Sequence, residues 1–252
     1  MTPVPVVLAA GSLLDCPPTV VLDVAAATGF DAAGVRVSMD ALPDPRVLAE
    51  RCDDVGVALH DVEVFRIGSD PIDHAERLVE FAAESGAGRL LVVSDLVSES
   101  ATADAVGTLC RLGRQYSVAI ALEYMAWVTP SSSAGAIRIA EATGCLIVVD
   151  ALHHCRLEEA PAAVVEVRNA GALGWFQICD GPSTAPSDLI AEARGGRMVP
   201  GEGELPLVEL ITAIGPSVAV SVEVQGLEHR YPDPVSRATM LLARTRSVLS
   251  RV

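Results

Sequence analysis

Eight short apolar runs alternate with helical stretches along the whole chain, and this alternation limits what the chain can become. The runs are Val4–Ala10, Ala33–Ser38, Val57–Ile67, Arg89–Ser94, Ser117–Glu123, Cys145–Asp150, Leu173–Cys179 and Val218–Val224. Each reads as a strand, and the run that ends at Asp150 is too brief for a helix. The stretches between them start at Pro17-Pro18, Asp44-Pro45, Pro71, about Ala101, a run of serines before Ala134, Pro161, Pro206 and Asp233-Pro234. Several end on glycine: Gly29, Gly56, Gly86, Gly171. Proline inside the first turn and glycine past the last are the expected ends of helices. Strands that alternate with helices form parallel βαβ units. Eight such units in 252 residues predict one closed (β/α)8 barrel spanning residues 1–252. A doubly wound open sheet is the alternative. It calls for a glycine-rich phosphate loop after an early strand, and neither Gly11 nor Gly29 lies in such a context. Asp180–Gly203 shows no clear period and reads as a long loop.

Four consecutive runs carry an oxygen-bearing side chain at or near their ends: Glu123, Asp150, Gln177 and Glu223. Barrel enzymes build their sites at the C-terminal ends of the strands. Three carboxylates at close range repel one another and are costly to desolvate. A divalent cation relieves that cost. An all-oxygen set selects a hard ion, Mn2+ or Mg2+, before Zn2+. A single strand-end acid would be read as a helix cap or a solvated group; four on successive strands favour metal.

His153 follows Asp150 by three residues and can serve there as a base, a ligand or a hydroxyl partner. His154 points elsewhere. His60, Glu63 and Arg66 fall at the end of the third strand and are candidates to face a substrate, against a local surface ion pair as the plain alternative. Arg197 opens the tight turn RMVPGEGE, where a guanidinium can reach a carboxylate, phosphate or sugar hydroxyl. Arg194 is its alternative.

Composition removes several function classes. The net charge is −15, which opposes binding to a nucleic-acid backbone. The chain has no lysine, and all 18 basic residues are arginine, so a side-chain Schiff base is excluded and with it a class I aldolase. The six cysteines form no CxxC pair and read as buried thiols of a reducing compartment. No apolar run reaches the roughly 18 residues of a membrane span. The N-terminus lacks the positive segment of a signal peptide, and a cytoplasmic location is expected.

The segments LEYMAW, VVDALHHCR, FQICDGP, RMVPGEGELPL and SVEV resemble, in order and spacing, the xylose-isomerase-like barrel superfamily of sugar phosphate isomerases and epimerases. The resemblance implies one metal held by Glu123, Asp150, Gln177 and Glu223, with His153 in the DxxH position. The expected catalytic groups are Glu123, Glu223 and His153, and the expected substrate contacts are His60, Arg66, Arg156 and Arg197. The implied substrate is a small polyhydroxylated carbonyl compound, and a homo-oligomer is the implied assembly. Many sugar epimerases of the superfamily have His where this chain has Gln177. Gln there resembles the 3-dehydroshikimate dehydratases, and inosose dehydratases belong to the same superfamily, so a dehydratase (lyase) is the second expectation. The DNA-repair endonucleases of the superfamily use a histidine-rich zinc cluster, and five histidines with a charge of −15 do not fit them. A barrel that binds a polyol without turnover is the reading from another class.

Overall fold

The computed structural model describes residues 4–252. Eight strands, β1 (Val6–Leu8), β2 (Ala32–Arg36), β3 (Ala58–Ile67), β4 (Arg89–Ser94), β5 (Ala119–Glu123), β6 (Leu146–Asp150), β7 (Leu173–Ile178) and β8 (Val220–Val222), pair in chain order. Every pairing is parallel, and β8 returns to β1 through Val6 opposite Val220, so the sheet closes. The expected (β/α)8 barrel is the structure found. Around it run α1 (Pro18–Thr28), α2 (Pro45–Val55), α3 (Ile72–Glu84), α4 (Glu99–Gln115), α5 (Ser133–Thr143), α6 (Ala151–Arg156), α7 (Pro161–Asn169), α8 (Leu189–Ala191), α9 (Leu207–Ile214) and α10 (Pro234–Leu249). Gly29 and Gly56 end α1 and α2 at φ of 84° and 70°, a backbone region that a Cβ disfavours. Among the described residues no helix is long and apolar enough to cross a membrane.

Strand alternation divides the apolar residues into two layers. On β4, Leu90 and Val92 face the helices, in the large outer core. Leu91 and Val93 face inward and join Ala121, Val148 and Trp175 in a small cluster that fills the barrel. The same two-residue period carries the inner face to Glu123 from Ala121, to Asp150 from Val148, to Gln177 from Trp175 and to Glu223 from Ser221. All four side chains are buried. The register places Asp150 beside Gln177 and Gln177 beside Ser221.

Two features were not expected from the sequence. The stretch read as the loop Asp180–Gly203 holds α8 and a π-helical turn, Glu192–Gly196. Asp188 caps α8 through its side chain. The rest of the stretch is tied down by Asp180. Its Oδ1 accepts from the amides of Gly181 (2.9 Å) and Leu205 (3.1 Å), and its Oδ2 from Gly201 (2.9 Å). Its backbone exchanges two 2.8 Å bonds with Met198. The second feature is α6, which starts directly from β6. Asp150 is its cap: Oδ1 accepts from the His153 amide at 2.9 Å.

Candidate active site

The C-terminal rim of the barrel opens into a cavity of about 170 Å3. Glu123, His153, Arg197 and Glu223 line it, with Leu91, Val93, Met125 and Trp127 as an apolar wall. Asp150 and Gln177 lie deeper and do not line it. Glu123, Asp150 and His153 each offer a ligand atom within 4.8 Å of the others, so these three can hold a metal ion. His153 Nε2 stands 3.6 Å from Glu123 Oε1. The Trp127 ring meets the His153 ring edge-on, 5.0 Å between centroids, and fixes its plane.

Arg197 crosses from the PGEGE turn into this cluster. Its Nη1 donates to Asp150 Oδ2 at 2.7 Å and to the Glu223 carbonyl at 3.3 Å. Its Nη2 lies 3.5 Å from Glu223 Oε2 and 3.3 Å from His153 Nε2. Its Nε donates to the Ala193 carbonyl of the π turn at 2.8 Å. Burial opposes the charge of Arg197, but Asp150 and Glu223 outweigh it and hold the guanidinium firmly protonated. Burial likewise acts to raise the Asp150 carboxyl, but Arg197 and His153 beside it keep it below the usual range. Glu123 has no such partner. Burial, then the nearby Glu223 and Asp150, push it well above the usual carboxylate range. Burial lowers His153 against the pull of Asp150, so its neutral ring is favoured.

The opposite wall is β2 and β3. Arg36 Nη2 donates to Glu63 Oε2 at 2.9 Å, and both residues line the cavity. Burial, opposed by Arg36, pushes the Glu63 carboxyl up to about 7. Arg66 also lines the cavity. It is held by Asp95 through Nε and Nη2 at 3.0 and 2.7 Å.

Other sequence-derived candidates stand apart. Arg156 is not a cavity residue: a two-pronged ion pair with Glu192 (2.6 and 2.7 Å) and the Pro182 carbonyl occupy it. Buried charge needs such a partner, and this one lies on the π turn rather than in the site. His60 is the third residue of β3, far from its C-terminal end. It bonds Asp61 at 2.7 Å and packs edge-on against Trp175. His154 turns away, with Nδ1 3.0 Å from the Tyr124 hydroxyl and Nε2 3.2 Å from the Ala160 carbonyl. Residues that the sequence reading left out include Arg36, Trp127, Gln225 and Ile190, all on the cavity wall. Gln225 donates to Glu223 Oε1 at 3.1 Å. The LEYMAW motif pointed toward Trp127; nothing local marked Arg36.

The donor set suits a divalent cation. Glu123 Oε1 and Gln177 Oε1 are buried and have no hydrogen-bond partner, and buried acceptors are ordinarily satisfied. Both face the barrel interior beside Asp150, whose carboxylate is ionised.

The model of the family described as "Xylose isomerase-like TIM barrel" matches residues 22–241. Comparison with curated proteins finds no match. Among solved structures, a xylose isomerase-like TIM barrel/4-hydroxyphenylpyruvate dioxygenase fusion protein is 22% identical at a TM-score of 0.84. The match covers 96% of this chain and 42% of the fusion protein. An IolI protein with a bound zinc atom is 18% identical at a TM-score of 0.85, with 98% of each chain covered. D-allulose 3-epimerase from Methylomonas sp. is 13% identical at a TM-score of 0.74, again with 98% of each covered. At these identities the likeness to solved structures is one of fold, and this chain spans well under half of the fusion protein's length. The family itself is shown by the match across most of the barrel: the chain belongs to the xylose isomerase-like TIM barrel family.

Proposed function

We propose that this protein is a divalent-metal-dependent enzyme that takes a proton from a carbon next to a carbonyl on a small polyhydroxylated substrate, as a sugar isomerase or epimerase does. The observation that carries this reading is the convergence of Glu123, Asp150 and Glu223, with His153, at one end of a closed barrel. Glu123, Asp150, Gln177 and Glu223 are the residues that would hold the cation. Bound there, a divalent ion supplies a Lewis acid that draws charge from a carbonyl or hydroxyl oxygen. The oxygen-only set favours Mn2+ or Mg2+, while the zinc of the IolI neighbour makes Zn2+ the competitor to test.

The chain's own groups divide the work. Glu123 on β5 and Glu223 past β8 reach the cavity from different arcs of the barrel. One removes the proton and the other returns it on the opposite face of the substrate. Trp127, Met125 and Leu91 exclude water from that side. Arg66 and Arg194 stand on the wall to hold an oxygen-rich substrate.

Gln177 favours a second reading, a dehydratase of the 3-dehydroshikimate or inosose type, by its resemblance to that branch. His153, neutral and with Nε2 toward Glu123, would then take the proton, and the β-hydroxyl would leave as water. One experiment separates the readings. The protein is loaded with Mn2+, Mg2+ or Zn2+ and offered keto-sugars and 3-dehydroshikimate in D2O. Deuterium in recovered or isomerised sugar supports the first reading. An unsaturated product supports the second. Sugar binding without exchange or turnover overturns both and leaves a polyol-binding barrel.

A further inference from the structure

We propose that Arg197 is an internal counter-ion that takes the place of the divalent cation in the metal-free protein, and that cation binding releases it into the substrate cavity. This inference rests on the metal-site reading above. Both acids that Arg197 touches belong to that site. Asp150 Oδ2 receives Nη1 at 2.7 Å, and Glu223 Oε2 faces Nη2 at 3.5 Å. The remaining oxygens of the same two acids are engaged as well, Asp150 Oδ1 by the His153 amide and Glu223 Oε1 by Gln225. In contrast, Glu123 Oε1 and Gln177 Oε1 are buried and unpartnered. Half of the set is thus open and half is held by a cation already in place. A divalent ion that engages Asp150 and Glu223 competes with that guanidinium, because two cations on the same carboxylates repel in a buried site.

The side chain is mounted so that only its head need move. Arg197 follows the π turn, and its Nε is bonded to Ala193 within that turn. The turn is pinned from below by the Glu192–Arg156 pair. The cavity that Arg197 already lines has about 170 Å3 of space, enough to receive a guanidinium.

Release also changes His153. An arginine can only donate, so at 3.3 Å His153 Nε2 is the acceptor. In the neutral ring its proton then sits on Nδ1. In the metal-free protein Arg197 therefore covers the His153 nitrogen that faces Glu123. Departure of Arg197 uncovers that nitrogen and presents a guanidinium to the substrate in one event. The order that follows is cation first, substrate second.

The test is a titration of metal-free protein with Mn2+, read by electron paramagnetic resonance and calorimetry, for wild type and Arg197→Met. Removing a competing cation is expected to tighten Mn2+ binding at least roughly tenfold, while the metal-free variant melts at a lower temperature. If Arg197 instead orients ligands from outside the metal's coordination sphere, its loss weakens binding, by roughly 10–100-fold for such residues. Equal or weaker binding in the variant overturns the inference while leaving the metal site intact. Binding by neither protein overturns the metal reading as well. Should Arg197→Met fail to fold, the wild type suffices. With 15N-labelled arginine, the Arg197 Nη signals are expected to shift and lose protection from solvent exchange when diamagnetic Mg2+ is added, while Nε–H, bonded to Ala193, stays protected. Unmoved, protected Nη signals at Mg2+ saturation refute release.

Discussion

Asp180 offers a sharp test of how the site loop is held. The side chain is buried and accepts three amides, from Gly181, Gly201 and Leu205, at 2.9, 2.9 and 3.1 Å. Asp180→Ala removes all three acceptors at once. Gly201 is exposed and its amide can turn to water, but Gly181 and Leu205 are buried. Each buried amide left without a partner costs about 1–3 kcal/mol, so the loss should be about 4 kcal/mol. For a chain of this size each kcal/mol lowers Tm by about 2–4 °C, which makes a fall of about 8–16 °C. Asp180→Asn keeps an oxygen for Gly181 and Leu205 and opposes only the Gly201 amide, so it should cost about 1–2 kcal/mol. Calorimetry in EDTA separates this effect from metal linkage. Hydrogen exchange should show the Gly201 and Leu205 amides opening while barrel amides keep their protection. An Asp180→Ala protein within about 1 kcal/mol of wild type, or uniform loss of protection, would refute the claim that this carboxylate anchors the loop that carries Arg197.

Two further outcomes are expected. A Cβ at Gly11 would lie 2.2 Å from Glu223 Oε1, and the turn is pinned by Ser12, which bonds the Val222 carbonyl and the Val224 amide. Gly11→Ala should therefore push Glu223 aside and weaken Mn2+ binding roughly tenfold or more, as loss of a supporting residue does; unchanged affinity by calorimetric titration would show that Glu223 is not a ligand. Glu63 titrates near 7 in the fold against an ordinary 4.5, so the folded state holds its proton more tightly. Its contribution to stability is full at low pH and is lost as pH rises from 4.5 through about 7, by up to about 3 kcal/mol at 1.36 kcal/mol per unit. Denaturant melts of metal-free wild type and Glu63→Gln should thus diverge in the variant's favour between pH 5 and 8, and parallel curves would contradict the assignment.

The barrel was legible because strand and helix periods differ and because Pro and Gly mark helix ends. The four strand-end residues were legible for the same reason: a two-residue period carries each from a barrel-filling side chain to the rim. Irregular backbone hid the rest. On β3, Val62 and Phe65 pair with Leu90 and Val92, so Glu63 and Val64 together oppose the single Leu91. This bulge shifts the phase and lets Glu63, Val64 and Arg66 all line the cavity, which strict alternation forbids. The six residues of α6 and the three of α8 are too few to show a helical period. The π turn ends in Gly195-Gly196, which in sequence reads as a break. Arg36 reaches the site only because the barrel closes, and Arg156 was misplaced because its partner Glu192 lies in the unrecognised turn.

The most direct measurement is the metal content of the protein purified without chelator, beside Glu223→Gln. About one divalent ion per chain in the wild type, as a site with this ligand set implies, and its loss or marked weakening in the variant, are the expected results. If neither protein holds metal, and saturating Mn2+, Mg2+ or Zn2+ leaves the wild-type melting temperature unchanged, then the strand-end acids are not a metal site and the proposed chemistry falls with it.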